Sequence, residues 1–228
     1  GAVFAFLQNQ ASLTLNSLAP SIDIARLRFQ TVVAMAISAA APSNPRISSP
    51  SHFRAAFLHQ PKTGGPVMAQ DMWVFGYGSL IWNPEFPVAE QVIARATGWH
   101  RSFCMRSIHH RGSEAEPGLV LALDADVRAH CDGVAFRVAP GAEEATLHAL
   151  RERELISSAY LECRLMVDLT DGRQVEALCF VIDPDHVQYC GGLPLEEQAQ
   201  IIARSVGGRG PNRDYLFNTA AHLAELGI

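Results

Sequence analysis

Residues 160–183, YLECRLMVDLTDGRQVEALCFVID, contain the clearest fold signal in this chain of 228 residues. Alternate positions from Leu161 to Leu169 are apolar, and the residues between them are mostly polar, which is the period of a half-buried β-strand. The dipeptide Asp171-Gly172 predicts a two-residue primed turn, because glycine tolerates positive φ and primed turns match the twist of paired strands. The stretch therefore predicts a β-hairpin.

Other segments predict further strands on the N-terminal side of this hairpin. WVFGY (73–77) and GLVLALD (118–124) have the composition of buried strands, and GVAFRV (133–138) that of a half-exposed strand. No internal repeat is visible in the sequence.

Helical patterns lie between and after the strands. Residues 141–155 predict one helix, and Pro194 suits the first turn of a second, which the glycines 207–208 end. A last helix is predicted to begin near Asn212, with Leu216 and its neighbours at helical spacing on one face. Mostly antiparallel strands with interspersed helices predict an α+β domain with a small closed or nearly closed sheet.

Residues 1–67 differ in composition from the remainder of the chain. They contain one acidic residue, Asp23, among many Ser, Ala and Pro, and their apolar run at 31–42 is too short to span a membrane. Transit or signal peptides share some of these features. We interpret this leader as a disordered or upstream extension, and residues 68–228 as the folded domain.

Charge and cysteine content exclude several classes of function. Residues 68–228 carry 22 acidic and 13 basic side chains, a net charge of −9, with no basic stripe. Nucleic acid and membrane surfaces are therefore not expected as partners. The five cysteines are widely spaced, with no CxxC, which predicts reduced thiols and a cytoplasmic protein.

The glycines of GYGSL (76–80) indicate a backbone turn at the end of the first strand. Such a turn brings N–H groups close to a carboxylate or a developing oxyanion. The dinucleotide fingerprint is excluded because Ile81 stands where its third glycine belongs, and a Walker loop is excluded because residues 68–228 contain no lysine. The alternative is that Gly76 and Gly78 only let a strand bend inside a small barrel.

Glu154 is an acidic residue on an apolar helix face. With Leu147 at zero, Glu154 falls at about 340° and Leu150 at about 300°, while Glu152 and Arg153 project elsewhere. A carboxylate in apolar surroundings has a raised pKa, which suits a general acid/base. The alternative is an ordinary glutamate that pairs with Arg151 or reaches solvent.

Four blocks of this sequence together resemble the ChaC family, the glutathione-specific γ-glutamylcyclotransferases. The blocks are MWVFGYGSLIW (72–82), HHRGSEAEPGLVLALD (109–124), RELISSAYL (153–161) and GPNRDYLFN (210–218). They occur in order and at similar spacings, so the resemblance covers the chain from about Met72 to its C-terminus.

The resemblance implies a compact mixed β-barrel with flanking helices and a cavity at the GYGSL loop. It also implies a reaction without cofactor or metal, in which glutathione is cleaved to 5-oxoproline and Cys-Gly. Glu154 matches the general acid/base of the family. The glutamyl end of the substrate would be held by Gly76, Tyr77, Gly78, Ser79, Leu80 and Ile81, with Ser79 in a hydrogen-bonding and not a nucleophilic role.

Less specific matches leave alternatives open. Tyr160 either lines the cavity or is a barrel aromatic, and Tyr215 is interpreted as a structural anchor. Arg111 either meets the glycine-end carboxylate of glutathione or forms an internal ion pair. Many relatives have glycine where this chain has Ser158, a small-for-small change compatible with the reaction.

Two other functions fit the same residues. One is a cyclotransferase that acts on other γ-glutamyl amines or peptides. The second is a binding domain that keeps the cavity without catalysis. The glutamate in its block favours an enzyme over this second reading.

Overall fold

The computed structural model describes residues 71–228, so the predicted leader at 1–67 lies outside the described residues. Within that range, no helix combines the length and the apolar character needed to cross a membrane. The elements in chain order are β1 (Trp73–Gly76), a 3₁₀ turn (Ser79–Ile81), β2 (Val88–Ser107), β3 (Gly118–Val138), α1 (Glu143–Glu154), β4 (Tyr160–Leu169), β5 (Gln174–Ile182), α2 (Leu195–Arg204), β6 (Val206–Gly207), β7 (Gly210–Pro211) and α3 (Asn212–Leu226).

Strands β1 to β5 close into a barrel in the order β1-β3-β2-β4-β5. All neighbouring pairs are antiparallel except β1 with β5, whose parallel pairing closes the barrel. This architecture confirms the predicted α+β barrel with flanking helices. The inward-facing apolar residues of β4, such as Leu165 and Val167, are buried in the barrel core, as their alternation predicted.

The predicted strands at 118–124 and 133–138 are one continuous strand, β3, of 21 residues. The residues between them stay extended because β2, which the sequence analysis did not identify, pairs with nearly the whole of β3. Register shifts interrupt this pairing at three places along β2. They break the alternation that would have revealed a strand of this length.

The β4–β5 hairpin is confirmed, but its predicted two-residue primed turn is wrong. Three residues, 170–172, form the loop: Leu169 N–H donates to the Arg173 carbonyl, and Gly172 N–H donates to the Leu169 carbonyl. Only Gly172 has positive φ here, at 91°. This arrangement is the three-residue loop with a glycine bulge, which also suits the twist of paired strands.

The two C-terminal helices pack side by side against β3. α3 begins at Asn212 as predicted, and Leu216 is fully buried. α2 ends at Arg204, earlier than the predicted end at the 207–208 glycines, because Ser205 is extended and residues 206–207 pair with 210–211 in the small β6–β7 hairpin.

The connection from α1 to β4 contains a strained residue. Ser158 has a φ of 55°, in the left-handed region that favours glycine. We expect Ser158→Gly to raise the free energy of unfolding by about 0.5–1 kcal/mol, since strain relief exceeds the added entropy of the unfolded chain. Denaturant titration of Ser158→Gly beside Ser157→Gly, where φ is not positive, checks this. Lower stability of Ser158→Gly would contradict the strain argument.

Candidate active site

A cavity of about 290 Å³ opens beside the glycine turn that follows β1. Its wall brings together the turn, the C-terminal end of α1, the segment that follows β2, and the β6–β7 hairpin. The polar and charged side chains in this wall are Tyr77, Ser79, Asn83, Ser107, His109, His110, Arg111, Arg153, Glu154, Ser157, Tyr160, Gln188, Arg209 and Tyr215. These residues come from sequence positions far apart, so only barrel closure assembles them.

The glycine turn presents backbone to the cavity. Ile81 N–H donates to the Gly78 carbonyl at 3.0 Å, which is the first hydrogen bond of the 3₁₀ turn. The preceding N–H groups, from Gly78 to Leu80, therefore have no carbonyl partner within the turn. Gly76 has a packing role, because an added Cβ would lie 3.0 Å from Phe136 and 3.1 Å from Leu80.

Glu154 is the last residue of α1 and lines the cavity, as its predicted helix face indicated. Its side chain is 17% exposed, while the neighbouring Glu152 side chain is 71% exposed. Burial raises the pKa of Glu154, and Glu85 raises it further, whereas the cations of Arg153 and Arg209 oppose the rise. The predicted alternative, a pair with Arg151, is wrong because Arg151 binds Glu162 through two hydrogen bonds.

Arg153 binds both Glu154 and the glycine turn. Its Nε lies 3.1 Å from Glu154 Oε1, and its Nη2 donates to Ser79 Oγ at 2.8 Å. Its Nη1 donates to the Asn83 carbonyl at 2.8 Å and to Glu85 Oε2 at 2.9 Å. The prediction that Arg153 projects away from the site is therefore wrong. Only 10% of the Arg153 side chain and 17% of the Glu154 side chain are exposed, so their contact is shielded from water, whereas Glu85 is 50% exposed.

Two buried tyrosines, Tyr77 and Tyr215, and the half-buried Tyr160 surround the Glu154 side of the cavity. Tyr77 donates to the Phe180 carbonyl at 2.7 Å, and Tyr160 donates to the Leu121 carbonyl at 3.2 Å. Burial is the main cause that raises the pKa of each phenol, to about 12 for Tyr215, so all three stay neutral at physiological pH.

Tyr215 anchors α3 and also faces the cavity. Its hydroxyl accepts a hydrogen bond from Leu121 N–H at 3.3 Å and lies 3.4 Å from where a Cβ on Gly78 would stand. The guanidinium of Arg111 lies over its ring, 5.6 Å from the centroid. Tyr215 thus combines the predicted structural role with a place in the cavity wall.

Arg111 is held by backbone carbonyls. Its Nη1 donates to the carbonyls of Arg209 at 2.7 Å and Pro211 at 3.3 Å. No carboxylate of the described residues lies within ion-pair distance of Arg111, so the predicted internal ion pair is wrong.

Most of the predicted site residues meet in this cavity. Its wall includes Glu154, Tyr160 and the stretch 77–80, whereas Gly76 and Ile81, within the described part of the chain, lie at the ends of the turn and outside the wall. No group of three or more His, Cys, Asp or Glu side chains that could hold a metal ion is found in residues 71–228.

Comparison with known proteins places this site in a family. The family described as "ChaC-like protein" matches residues 72–228, which include every residue of the cavity wall. The chain belongs to the ChaC-like family.

Curated ChaC-like relatives share this part of the chain. A glutathione-specific γ-glutamylcyclotransferase of Escherichia coli (strain K12) is 40% identical over 164 residues, which cover 72% of this chain and 68% of the relative. The human glutathione-specific γ-glutamylcyclotransferase 1 is 31% identical over 190 residues, covering 82% of this chain and 83% of the relative.

A solved structure supports the same fold. A yeast γ-glutamyl cyclotransferase specific to glutathione superposes with a TM-score of 0.63 at 24% identity, covering 69% of this chain and 88% of that one. At this identity the likeness concerns the ChaC-like fold alone.

Two arginines of this ChaC-like site were missed in the sequence analysis. Arg153 was missed because α1 ends at Glu154, so the helical angle of the last turn does not fix where its side chain points. Arg209 was missed because its hairpin, β6–β7, has only two residues in each strand. The adjacency of Arg153 to Glu154 in the RELISSAYL block was the available signal for the first.

Proposed function

We propose that this chain cleaves glutathione as a γ-glutamylcyclotransferase, forming 5-oxoproline and releasing Cys-Gly. The observation that carries the proposal is the buried Glu154 carboxylate, which lines a cavity beside the glycine turn in a ChaC-like chain. The curated relatives carry the name of this activity.

In this proposal Glu154 moves a proton from the α-ammonium group to the leaving nitrogen of the amide bond. Its carboxylate accepts a proton from the α-ammonium of the γ-glutamyl group, and the freed amine attacks the γ-carbonyl carbon. The new carbon–nitrogen bond closes the five-membered ring. Glu154 then gives the proton to the leaving nitrogen as the amide bond to cysteine breaks. The ring nitrogen loses its second proton as well, so 5-oxoproline carries a neutral lactam and Cys-Gly a protonated amine. The raised pKa favours both steps, because it makes the carboxylate a stronger base while the protonated group can still return the proton.

The glycine turn would hold the glutamyl moiety in its curled conformation. The stretch 77–80 forms part of the wall, and its N–H groups would bind a carboxylate or the carbonyl oxygen as it becomes negative. An amine already held near its carbonyl reacts at a high effective molarity, so selecting this conformer accelerates the reaction by itself. Gly76 and Ile81 support the turn from its ends.

A covalent mechanism through Ser79 is not required. Its Oγ accepts a hydrogen bond from Arg153, a cation that cannot act as a general base here. The hydroxyl therefore links the turn to α1, in keeping with the hydrogen-bonding role predicted for it.

The direct test is incubation of the full chain with reduced glutathione, followed by measurement of 5-oxoproline and Cys-Gly. Equal amounts of both products support the proposal. Competition with other γ-glutamyl amines in the same assay separates glutathione from the alternative substrates. Saturable glutathione binding without either product would instead support the non-catalytic domain.

The pH dependence of kcat/KM should report the ionisation of Glu154. We expect kcat/KM to fall with decreasing pH along a limb whose pKa lies above 4.5, the ordinary value for glutamate, because the free enzyme needs the ionised carboxylate. Glu85→Gln should move the limb to lower pH, since it removes a negative charge that raises the pKa of Glu154. Rate profiles of both proteins, with Glu162→Gln as the control, check the shift. Identical limbs would contradict the assignment.

A further inference from the structure

We propose that Arg209 and Arg111 form a carboxylate-binding subsite at the cavity wall, which takes the C-terminal carboxylate of a γ-glutamyl peptide. In glutathione this is the carboxylate of glycine. The inference rests on the proposed function and adds the residues that recognise the far end of the substrate.

The guanidinium of Arg209 is available to bind a ligand. Most arginines in residues 71–228 pair with a carboxylate, whereas the Arg209 side chain makes no hydrogen bond or ion pair with the described residues. Its side chain lines the cavity and its residue is exposed to solvent. A guanidinium in this position has a planar set of donors that matches a carboxylate.

The backbone that presents Arg209 is tied to the segment after β2. Gly208 N–H donates to the His109 carbonyl and Arg209 N–H donates to the His110 carbonyl, both at 2.9 Å. Arg111 Nη1 donates to the Arg209 carbonyl in return. These bonds fix the backbone from which Arg209 projects and hold the Arg111 guanidinium against it, which lowers part of the ordering cost of binding.

Close packing fixes the hairpin further. A Cβ on Gly207 would stand 2.4 Å from the Gly112 nitrogen and 2.6 Å from the Arg111 nitrogen, so the two backbones are in direct contact. The backbone at Arg209 therefore has a fixed position relative to the backbone at Arg111.

The wall around these arginines is cationic, although the domain is acidic. Burial lowers the pKa of His110, and the nearby cations of Arg209, Arg111 and Arg153 lower it further. Residues 68–228 carry a net charge of −9, so this wall differs in sign from the domain as a whole. An anionic ligand group is thus favoured here and disfavoured over most of the surface.

The substrate has two carboxylates, and the reaction requires them to bind at different places. The α-carboxylate of the glutamyl group shares a carbon with the reacting amine, so it must lie beside Glu154 and the glycine turn. Among the charges that act on Glu154 are Arg153 and Arg209, but not Arg111. Arg209 therefore lies within electrostatic range of the reacting centre, and Arg111, which donates to the Arg209 and Pro211 carbonyls, extends the pair along the β6–β7 hairpin. We assign the remote carboxylate of the tripeptide to this pair and the glutamyl carboxylate to the glycine turn and Arg153.

The test compares glutathione with its glycine amide, which has nearly the same shape but no charge at that end. For the parent protein we expect kcat/KM to be about tenfold higher with the carboxylate, as for a charge-assisted hydrogen bond at a partly exposed site. Arg209→Gln should remove this preference. Arg128→Gln, an exposed arginine outside the cavity wall, should keep it. Arg209 is chosen because Arg111 also holds backbone carbonyls and its loss would disturb the fold.

The ratio of kcat/KM for the two substrates reports the subsite separately from other effects of the substitution. Arg209 also lowers the pKa of Glu154, but that effect acts on both substrates equally and cancels. An equal fall in kcat/KM for both substrates in Arg209→Gln would overturn the subsite, as would a parent protein that does not distinguish them.

Binding separates this inference from the proposed function. Calorimetric titration of Glu154→Gln with the same two compounds, with and without Arg209→Gln, needs no turnover. Carboxylate-dependent binding that Arg209→Gln abolishes retains the subsite even if the parent protein forms no 5-oxoproline. Binding of both compounds with equal affinity overturns the subsite even if turnover is observed.

Discussion

Glu154→Gln should lower 5-oxoproline formation from glutathione by about 10³-fold, within the range of a lost general acid/base. Glutamine keeps the shape of the side chain but cannot accept the proton of the α-ammonium. The measurement is the initial rate of 5-oxoproline release at saturating and at low glutathione. The loss should be mainly in kcat, because the remaining cavity wall still binds the substrate.

The stability of Glu154→Gln shows whether a loss of activity comes from lost chemistry or from a lost fold. The pKa of Glu154 is higher in the folded protein than in the unfolded chain. Glu154 therefore stabilises the fold at a pH below its unfolded pKa, and this contribution is lost as the pH rises through its folded pKa. Glutamine has no charge to bury, so we expect Glu154→Gln to be no less stable than the parent near neutral pH. Glu152→Gln is the matched control, since that side chain is 71% exposed and pairs with His148 at 3.4 Å. Full activity of a folded Glu154→Gln would refute its role.

Arg153→Gln should lower kcat/KM by about 10²-fold, because it releases both Glu154 and the glycine turn from their present geometry. It should also lower the free energy of unfolding by about 2–3 kcal/mol, since hydrogen bonds to Ser79, Asn83 and Glu85 are lost and Glu154 is left buried without its nearest cation. Kinetics and denaturant titration measure the two effects separately.

The pH profile distinguishes positioning by Arg153 from a purely structural role. Arg153 lowers the pKa of Glu154, so the acid limb of kcat/KM should move to higher pH in Arg153→Gln. Arg153→Lys should restore the limb but only part of the rate, because an ammonium cannot make the same set of planar contacts. Arg151→Gln is the control on the same helix, where the side chain is 51% exposed and bound to Glu162. An unmoved limb in Arg153→Gln would restrict Arg153 to stability.

The sequence pattern was sufficient to predict elements with a regular hydrophobic period, but it was insufficient to predict the long strands β2 and β3. The alternation from Leu161 to Leu169 identified β4, and helical spacing placed Glu154 on the inward face of α1. β2 and the middle of β3 have no such pattern, because their extended conformation depends on pairing with each other along a bent ribbon. The turn type at Gly172 was also missed, since the same residues are compatible with loops of two or three residues.

The sequence by itself determined the α+β class, the β4–β5 hairpin, the acidic character of the domain and the inward position of Glu154. Each of these follows from composition or from a period set by the geometry of one element. The tertiary structure decided which cations face that carboxylate. Arg153 reaches Ser79 across 74 residues of sequence, and Arg209 meets Arg111 across 98. Such contacts depend on barrel closure and on how hairpins pack against it, for which no local period exists.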